Sequence, residues 1–371
     1  MACLHDLVEA TEVPQAAPAL EATQIFETTQ ILAAASTLLG TELTDPVDLG
    51  GSNRSTVLRV RTAAGESVIL KAHKELSAYQ AEAGGLRLTD LGPRLLADDP
   101  EHRLIVMEDL GDAPNLADLL LAGEEKQARA ALIEWATTYG RLAVRTVGRE
   151  SELGAASGPW VTEDMAKLPD FLRVHGIAAP PGLAADLDAV SDLDHDRFRV
   201  FSPGDICPDN HLLTPGGLRP IDFEGAGFHS VFLDASYSRM PFGSCWCVFR
   251  LPKSFSLEAE RAYRGEVVKA YPELADDRIW RPGVRLASVA YVVAMTYWLM
   301  PQVAEEDRPM HRSRDPIASV RQVLRYRWEV TATALERSGE LPAMAAVFRA
   351  LLAETAQWRA ADLPAYPAFS S

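Results

Sequence analysis

The sequence predicts an α+β fold of two lobes, in which a small antiparallel sheet with one helix precedes a larger, mainly helical lobe. The length of 371 residues suits two such units at about 150 residues each. Apolar residues alternate as in β-strands before residue 110, whereas helix-length amphipathic patterns dominate after it. We therefore expect an acidic extension with one helix (1–40), a first lobe (41–110) and a second lobe (111–371).

Composition and charge exclude several classes of protein. Apolar residues make up 47% and charged residues 24% of the chain, which is ordinary globular usage. The formal net charge of −16 argues against nucleic acid and anionic membranes as partners. Half of this excess lies in residues 1–53, which hold eight acids and no Lys or Arg, so the net charge says little about the ligand of the remaining chain.

Apolar runs and cysteines indicate the compartment. The start of the chain lacks the basic segment of a secretory signal. The longest apolar run, residues 286–300, is shorter than the roughly 20 residues that span a bilayer, and predicts a buried helix. The four cysteines (Cys3, Cys207, Cys245 and Cys247) are too few for a disulfide framework. We expect a reduced, cytoplasmic protein whose cysteines are small buried hydrophobes.

The elements of the first lobe follow from local patterns. Helical spacing of apolar residues over 22–39 ends at Gly40. Residues 56–61 and 67–71 alternate on either side of a turn and predict a β-hairpin. A helix over 75–91 and a strand over 103–107 complete the lobe.

The second lobe is predicted to be helical over residues 117–121, 124–147, 257–271, 283–300, 315–337 and 342–361. Short strand-like segments interrupt the helices at residues 197–201, 211–213 and 218–221. Polar residues crowd this interruption, and loops between short strands commonly carry catalytic groups.

Three polar residues follow the ends of these short strands. Asp205 and Asn210 lie in the segment SPGDICPDN, and Asp222 opens the segment DFEG after the next hairpin. Such a set suits phosphoryl transfer, because two oxygen ligands can hold a divalent metal on nucleotide phosphates while the first Asp orients a hydroxyl. Hard oxygen ligands favour Mg²⁺ over zinc.

Residues that could bind the nucleotide lie in the first lobe. Gly51, Ser52 and Asn53 open the hairpin, where small residues let backbone N–H groups approach a triphosphate. Lys71 ends the second strand as a point charge, and Glu82 in the following helix is its expected partner.

The stretch after the last strand of this lobe, at Met107, Glu108 and Leu110, is where the lobes would hinge. Its backbone could bind a purine edge. An ordinary surface glutamate is the alternative for Glu82, with Glu75 as the rival partner of Lys71.

This order of motifs resembles the aminoglycoside phosphotransferase family, whose members are related by fold to choline kinase and protein kinases. The resemblance covers about residues 31–234. It implies a two-lobed, protein-kinase-like fold, ATP or GTP as phosphate donor, and Mg²⁺. It also implies Asp205 as catalytic base, Asn210 and Asp222 as metal ligands, Lys71 with Glu82 as the phosphate-positioning pair, and Asp234 as a brace of the catalytic loop.

The sequence departs from the family pattern at two positions. Pro203 replaces the His that usually precedes Gly-Asp, and the second acid of the usual DFD or DWE pattern is Glu224. We expect the first change to remove a structural hydrogen bond and no catalytic group. Only eleven residues separate Asp222 from Asp234, which leaves no room for the long activation loop of a protein kinase.

We therefore predict a phosphotransferase that phosphorylates a hydroxyl group of a small molecule, with an aminoglycoside or nucleoside antibiotic as the preferred acceptor in resistance or self-protection. The alternatives are a kinase of choline, homoserine or a sugar, and a pseudokinase that only binds nucleotide. Acids that could meet an ammonium group are Glu224, Glu305, Glu306 and Asp307, although the last three also suit a solvated loop. A basic stretch that could receive an anionic or carboxamide-bearing acceptor, or form a salt-bridged helix face, comprises His311, Arg312, Arg314, Arg321, Arg325 and Arg327.

Overall fold

The computed structural model describes residues 27–51, 54–154, 161–240, 242–311 and 314–370. Within these ranges the chain forms the predicted two lobes, a small sheet-containing lobe and a larger helical one. Most of the acidic extension, and Ser52, Asn53 and Arg312, lie outside the described residues.

The first lobe is built on a five-stranded antiparallel sheet in the part of the chain that the structure describes. Its strands are β1 (Leu43–Asp48), β2 (Ser55–Thr62), β3 (Ser67–His73), β4 (Leu95–Asp99) and β5 (Leu104–Glu108), in the order β1-β2-β3-β5-β4. Helix α1 (Thr28–Leu39) precedes the sheet, and α2 (Leu76–Leu88) lies between β3 and β4. The two edge strands β1 and β4 were not predicted, because neither has an alternating burial pattern.

The two faces of this sheet have different partners. Leu58, Leu70 and Val106 point to one face, where Ile31 and Ala35 of α1 complete a buried core. Successive side chains of a strand alternate between faces, so Lys71 points to the opposite face, toward the second lobe. Helix α1 therefore covers the outer face of the sheet and leaves the inner face for the cleft.

The second lobe is mainly helical. Its helices are α3 (Leu116–Ala122), α4 (Glu125–Arg145), α5 (Leu168–Val174), α6 (Leu183–Ser191), α7 (Val231–Ser236), α8 (Lys253–Val267), α9 (Asp277–Leu299), α10 (Val320–Ser338) and α11 (Pro342–Glu354). The strands in the described part of this lobe form two antiparallel pairs, β6 (Arg199–Ser202) with β9 (Gly227–Ser230) and β7 (His211–Thr214) with β8 (Gly217–Pro220). The sequence did not predict α5, α6, α7 or β9, which have four to nine residues each.

Helix α9 and the first residue of the turn after it contain the apolar run 286–300 that was predicted to be a buried helix. With the turn that follows it, residues Asp277–Val303 are long and apolar enough to span a bilayer by length and composition. However, 72% of the most apolar window is buried inside the protein. Its side chains, among them Val289, Val292 and Met295, belong to the core of the second lobe.

Arg219 of β8 joins the two lobes. Its Nε donates to the carbonyl of Leu91 at 2.9 Å, and its Nη2 donates to the carbonyl of Gly92 and, at 3.2 Å, to Oε2 of Glu108. Because Glu108 ends β5, this arginine holds the second lobe against the hinge.

Candidate active site

A cavity of about 440 Å³ lies between the lobes. Residues from the β1–β2 turn, the inner face of β3, the end of β5 and the two polar loops of the second lobe line it. The predicted site residues that line it are Gly51, Lys71, Glu82, Met107, Glu108, Leu110, Asn210, Asp222 and Glu224. The fold thus brings together residues that lie up to 173 positions apart, from Gly51 to Glu224.

The predicted ion pair of Lys71 with Glu82 is present. Lys71 Nζ lies 2.7 Å from Oε2 of Glu82 and 2.6 Å from Oδ1 of Asp222, and 3.7 Å from Oε2 of Glu224. Burial opposes the charge of Lys71, but the three carboxylates outweigh burial and raise its pKa. Glu75, the rival partner, is exposed where α2 begins. Lys71 therefore stays charged at the centre of the cavity.

Glu82 is 1% exposed and ionised. Burial favours its neutral form, but Lys71 and His73 outweigh burial and hold its pKa below the ordinary value. His73 Nε2 lies 2.9 Å from Glu82 Oε2. His73 was not predicted from the sequence, although its position two residues after Lys71 on β3 puts both side chains on the same face.

Arg54 is a second cation that sequence analysis missed. It follows the glycine-rich turn, is buried, and donates from Nη2 to Oε1 of Glu224. Burial and the neighbouring Asp222 raise the pKa of Glu224. Glu224 thus meets two cations of the first lobe, and its predicted contact with an acceptor stays a prediction.

The glycine-rich turn approaches its own hairpin closely. A Cβ on Gly51 would lie 2.3 Å from the carbonyl oxygen of Ser55, and Gly50 has a φ of +86°. A side chain at Gly51 would push the turn away from β2. A side chain at Gly50 would strain the backbone, because non-glycine residues rarely adopt a positive φ. The turn therefore keeps its backbone at the edge of the cavity, as a phosphate cover requires. Ser52 and Asn53 lie outside the described residues.

An apolar slot lies beside the hinge. Val57 and Ile69 line it from the first lobe, Leu212 and Ile221 line it from the second, and Met107 lies at the end of β5. Two apolar layers of this kind suit a flat aromatic ring. The carboxylate of Glu108 accepts from the backbone N–H of Arg94 at 3.1 Å and from Arg219, and its own backbone N–H donates to the carbonyl of Arg94 at 2.9 Å. The predicted contact of the hinge backbone with a purine edge stays a prediction.

Asp205 lies on the loop after β6 and is 4% exposed. Its Oδ1 accepts from the N–H of Cys207 at 3.2 Å, from Ser244 Oγ at 3.3 Å and from Tyr237 Oη at 3.5 Å. These donors fix the carboxylate in one orientation. Asp205 is not among the residues that line the described cavity.

Gly204 brings this loop against the loop of Asp222. It has a φ of +90°, and a Cβ at this position would lie 2.1 Å from the carbonyl oxygen of Gly225. Only glycine allows so close an approach.

Asn210 and Asp222 fit the donor set of a magnesium ion. The N–H of Ile221 donates to the carbonyl of Asn210 at 3.0 Å, which joins the two loops. Asn210 donates from Nδ2 to the carbonyl of Asp205 at 3.1 Å, so the amide oxygen is the atom that a cation would use. Burial favours the neutral form of Asp222, but Lys71 outweighs burial and lowers its pKa. A carboxylate and an amide oxygen therefore line the same cavity as Lys71.

Asp234 lies where the predicted brace of the catalytic loop would be. Its Oδ1 accepts from Ser202 Oγ at 3.1 Å, and Ser202 Oγ accepts from the N–H of Gly204 at 3.2 Å. His229 of β9 places Nε2 2.9 Å from the same carboxylate oxygen. A histidine thus supports this brace from β9, although Pro203 occupies the position where the family has one.

Most of the predicted acceptor-binding charges lie elsewhere. Glu305, Glu306 and Asp307 do not line the cavity, and Asp307 accepts backbone N–H bonds from Arg308 and Arg321. The guanidinium groups of Arg321, Arg325 and Arg327 donate to backbone carbonyls. Of the described members of the basic stretch, His311 and Arg314 line the cavity.

Trp246 forms a wall with these two residues. Its ring centroid lies 5.2 Å from that of His311, and the guanidinium carbon of Arg314 lies 5.4 Å from the Trp246 ring centroid. Trp246 Nε1 donates to Oδ2 of Asp209 at 2.7 Å. This wall was not predicted from the sequence, because its members come together only in the folded chain.

No model of a protein family and no curated protein matches the chain. Solved structures that it resembles include choline kinase LicA from Streptococcus pneumoniae, at 16% identity and a TM-score of 0.50, over 83% of this chain and 98% of that chain. Choline kinase from Cryptosporidium parvum Iowa II matches at 12% identity and a TM-score of 0.52, over 81% and 92%.

The amicoumacin kinase hAmiN, solved with AMP-PNP, Ca²⁺ and Ami, matches at 15% identity and a TM-score of 0.52, over 83% and 94%. At these identities the likeness shows the fold. The chain has the two-lobed, kinase-like fold that the sequence motifs implied.

Proposed function

We propose that this protein is a small-molecule kinase that transfers the γ-phosphate of ATP to a hydroxyl group. The observation that carries the proposal is the meeting of Lys71, Asn210 and Asp222 in one interlobe cavity. This set offers a cation and two oxygen ligands to a triphosphate, beside a loop that holds the buried carboxylate of Asp205. The three fold relatives described above are all kinases of small molecules by name.

Each residue has a separate task in this reaction. Lys71 and the backbone of the glycine-rich turn hold the phosphates, and Glu82 keeps Lys71 in position. Asn210 and Asp222 would hold Mg²⁺, which neutralises charge on the phosphates when bound. Asp205 accepts the proton of the acceptor hydroxyl and directs its oxygen toward the γ-phosphate. The apolar slot beside Met107 receives the base of the nucleotide.

The wall of Trp246, His311 and Arg314 supports a flat acceptor that carries an anionic or carboxamide group. His311 and Arg314 pack against the indole of Trp246, which is 4% exposed. The imidazole and the guanidinium therefore offer the planar surface and the hydrogen-bond donors of this wall. Of the described acids that line the cavity, Asp209 contacts this wall, and its Oδ2 already accepts a hydrogen bond from Trp246. We therefore favour a nucleoside-type antibiotic over an aminoglycoside or choline, with a role in cytoplasmic resistance or self-protection.

A nucleotide-consumption screen tests the proposal. Purified protein with Mg²⁺ is given ATP or, separately, GTP, together with panels of nucleoside antibiotics, aminoglycosides, sugars and amino alcohols. Mass spectrometry then identifies any acceptor that gains one phosphoryl group. We expect a phosphorylated nucleoside-type product with ATP, formed by the wild type and not by Asp205→Asn.

The matched control for that variant is Asp188→Asn, at an exposed position on α6, which should behave as the wild type. Phosphorylation of an aminoglycoside alone would contradict the proposed acceptor class and leave the kinase proposal intact. ATP hydrolysis without any phosphorylated acceptor, or equal products from Asp205→Asn, would contradict the kinase proposal itself.

A further inference from the structure

Three of the cysteines meet behind the catalytic loop. Cys207 is two residues after Asp205, and Cys245 and Cys247 lie on the segment after α7. All three thiols are fully buried. The spacing of the cysteines in the sequence did not indicate a site, because Cys207 and Cys245 lie 38 positions apart.

The thiols of Cys207 and Cys245 and a carboxylate oxygen of Asp209 lie within 4.8 Å of one another. In a tetrahedral zinc site with Zn–S bonds of about 2.3 Å, ligating sulfur atoms are about 3.8 Å apart. The observed cluster is therefore close to the size of a metal-binding set. Cys247 Sγ lies 3.1 Å from Cys245 Sγ but is not part of this three-residue group.

The carboxylate of Asp209 is oriented toward the two thiols. Trp246 Nε1 donates to Oδ2 at 2.7 Å, and Cys245 Sγ lies 3.9 Å from Oδ1. Such a hydrogen bond orients the carboxylate, as hydrogen bonds to ligating carboxylates do in established metal sites.

Arg327 supplies a compensating charge next to the cluster. It is 1% exposed, and its Nη2 donates to the carbonyl of Phe242 at 3.2 Å. Its Nε and Nη1 have no hydrogen-bond partner among the described residues, and within the described ranges it forms no ion pair. Burial lowers the pKa of Arg327 to about 10, which leaves it charged at neutral pH, and its electrostatic neighbours include Cys245 and Cys207.

The charges balance when a divalent cation replaces the two thiol protons. Before binding, the carboxylate of Asp209 carries one negative charge and Arg327 carries one positive charge. Binding converts two neutral thiols to thiolates, releases two protons and adds one divalent cation. The net charge of the cluster is unchanged, so binding adds no net charge to the core.

We propose that Cys207, Asp209 and Cys245 form a binding site for a thiophilic divalent cation such as Zn²⁺ or Cd²⁺. The site is distinct from the magnesium-type oxygen set of Asn210 and Asp222, since two of its three ligands are sulfur atoms. An ion in it joins the loop of Asp205 to the segment that follows α7. The proposal does not depend on the phosphotransferase activity.

Cadmium titration of the reduced protein tests this site, with Cys3→Ser as the background so that only the three clustered thiols remain. Excess Mg²⁺ occupies the oxygen ligands, and the ultraviolet absorption of cadmium thiolates reports binding through sulfur. We expect one Cd²⁺ per chain, with an affinity that Cys207→Ser, Cys245→Ser and Asp209→Asn each reduce by about 10–100-fold or more.

The matched control is Cys247→Ser, which should keep the affinity of the background protein, because Cys247 is outside the three-residue group. Equilibrium dialysis followed by metal analysis gives the number of Cd²⁺ ions bound per chain of the background protein. Because that protein keeps all three proposed ligands, this measurement does not depend on whether a ligand variant folds. Absence of cadmium–thiolate absorption in the background protein would overturn the proposal. Unchanged affinity in Cys207→Ser and Cys245→Ser, or an equal loss in Cys247→Ser, would also overturn it.

Discussion

Replacing Lys71 by Met tests how the charges of the cavity stabilise the fold. The lysine lies 2.6 Å, 2.7 Å and 3.7 Å from Asp222, Glu82 and Glu224. Its removal leaves Glu82, which is 1% exposed, as a buried carboxylate without its main counter-charge. Breaking a buried ion pair from one side costs about 3–5 kcal/mol.

The ordinary pKa of glutamate sets the size of this loss at each pH. The variant can relieve the buried charge by protonating Glu82, which costs about 3.7 kcal/mol at pH 7 for an ordinary pKa of about 4.3. At pH 5.5 the same proton costs about 1.6 kcal/mol. We therefore expect Lys71→Met to lose about 3–4 kcal/mol of unfolding free energy at pH 7, and about 2 kcal/mol less at pH 5.5.

The direction of this pH dependence is opposite in the wild type. In Lys71→Met the folded-state pKa of Glu82 lies above its unfolded value, so the variant gains stability as pH falls. In the wild type, burial favours the neutral form, but Lys71 and His73 hold the pKa of Glu82 below the ordinary value. The contribution of Glu82 is then present above the unfolded pKa and is lost as pH falls through the folded one.

Urea unfolding at pH 7 and pH 5.5, followed by circular dichroism, measures both values. The matched control is Lys269→Met, at a lysine with an exposed side chain that pairs with Glu266, where we expect a loss of about 0–1 kcal/mol. A loss below about 1 kcal/mol for Lys71→Met, or a loss that is equal at the two pH values, would refute the reasoning from a buried ion pair.

Three further predictions follow from single contacts. Gly51→Ala should lower kcat/KM for the nucleotide by about 10–100-fold in steady-state kinetics, because the Cβ of the alanine would clash with the carbonyl of Ser55. The control Gly265→Ala, at a position with open space around it, should keep the wild-type value. Burial lowers the pKa of His211 to about 3. The unfolded chain therefore binds a proton at His211 near pH 6.5 while the folded protein does not, and the free energy of unfolding decreases as the pH falls below 6.5. The wild type should lose about 1.6 kcal/mol more unfolding free energy than His211→Gln between pH 6.5 and pH 5 in urea unfolding; equal losses would contradict this. Arg219→Ala should lower the free energy of unfolding by about 1–3 kcal/mol in urea unfolding, because it leaves the carbonyls of Leu91 and Gly92 without this donor. Arg278→Ala, at a side chain that is 91% exposed, should lower it by less than about 0.5 kcal/mol.

The sequence predicted those elements whose pattern is local. Strands β2 and β3 alternate on either side of a turn, and their pairing was predicted from that alternation alone. Strand β1 could not be found in this way, since it is irregular between Thr44 and Val47 and is exposed beyond Leu43. Its place in the sheet depends on pairing with β2, which is a tertiary contact.

The same distinction applies to the site. Lys71, Asp205, Asn210 and Asp222 could be identified because each lies in a short motif at the end of a predicted strand. The partner of Glu224 is Arg54, 170 positions earlier in the chain, and no local pattern relates them.

The wall of Trp246, His311 and Arg314 was likewise beyond local reasoning, since its members are brought together by segments without regular structure. The sequence predicts the clustered thiols only as buried hydrophobic side chains, for the same reason. Their burial is confirmed, but their proximity to one another depends on how the loop after β6 packs against the segment after α7.

The most direct test of the proposed phosphotransferase is the transfer of labelled γ-phosphate from ATP to the acceptor found in the screen, measured for the wild type and for Asp205→Asn. General acid–base catalysis contributes about 10²–10⁴-fold, so we expect the variant to lose at least about 100-fold in kcat. Calorimetry should find that Mg²⁺-dependent ATP binding is kept within about threefold, because Asp205 is not assigned to the phosphates. Label transfer at the wild-type rate in Asp205→Asn would contradict the account.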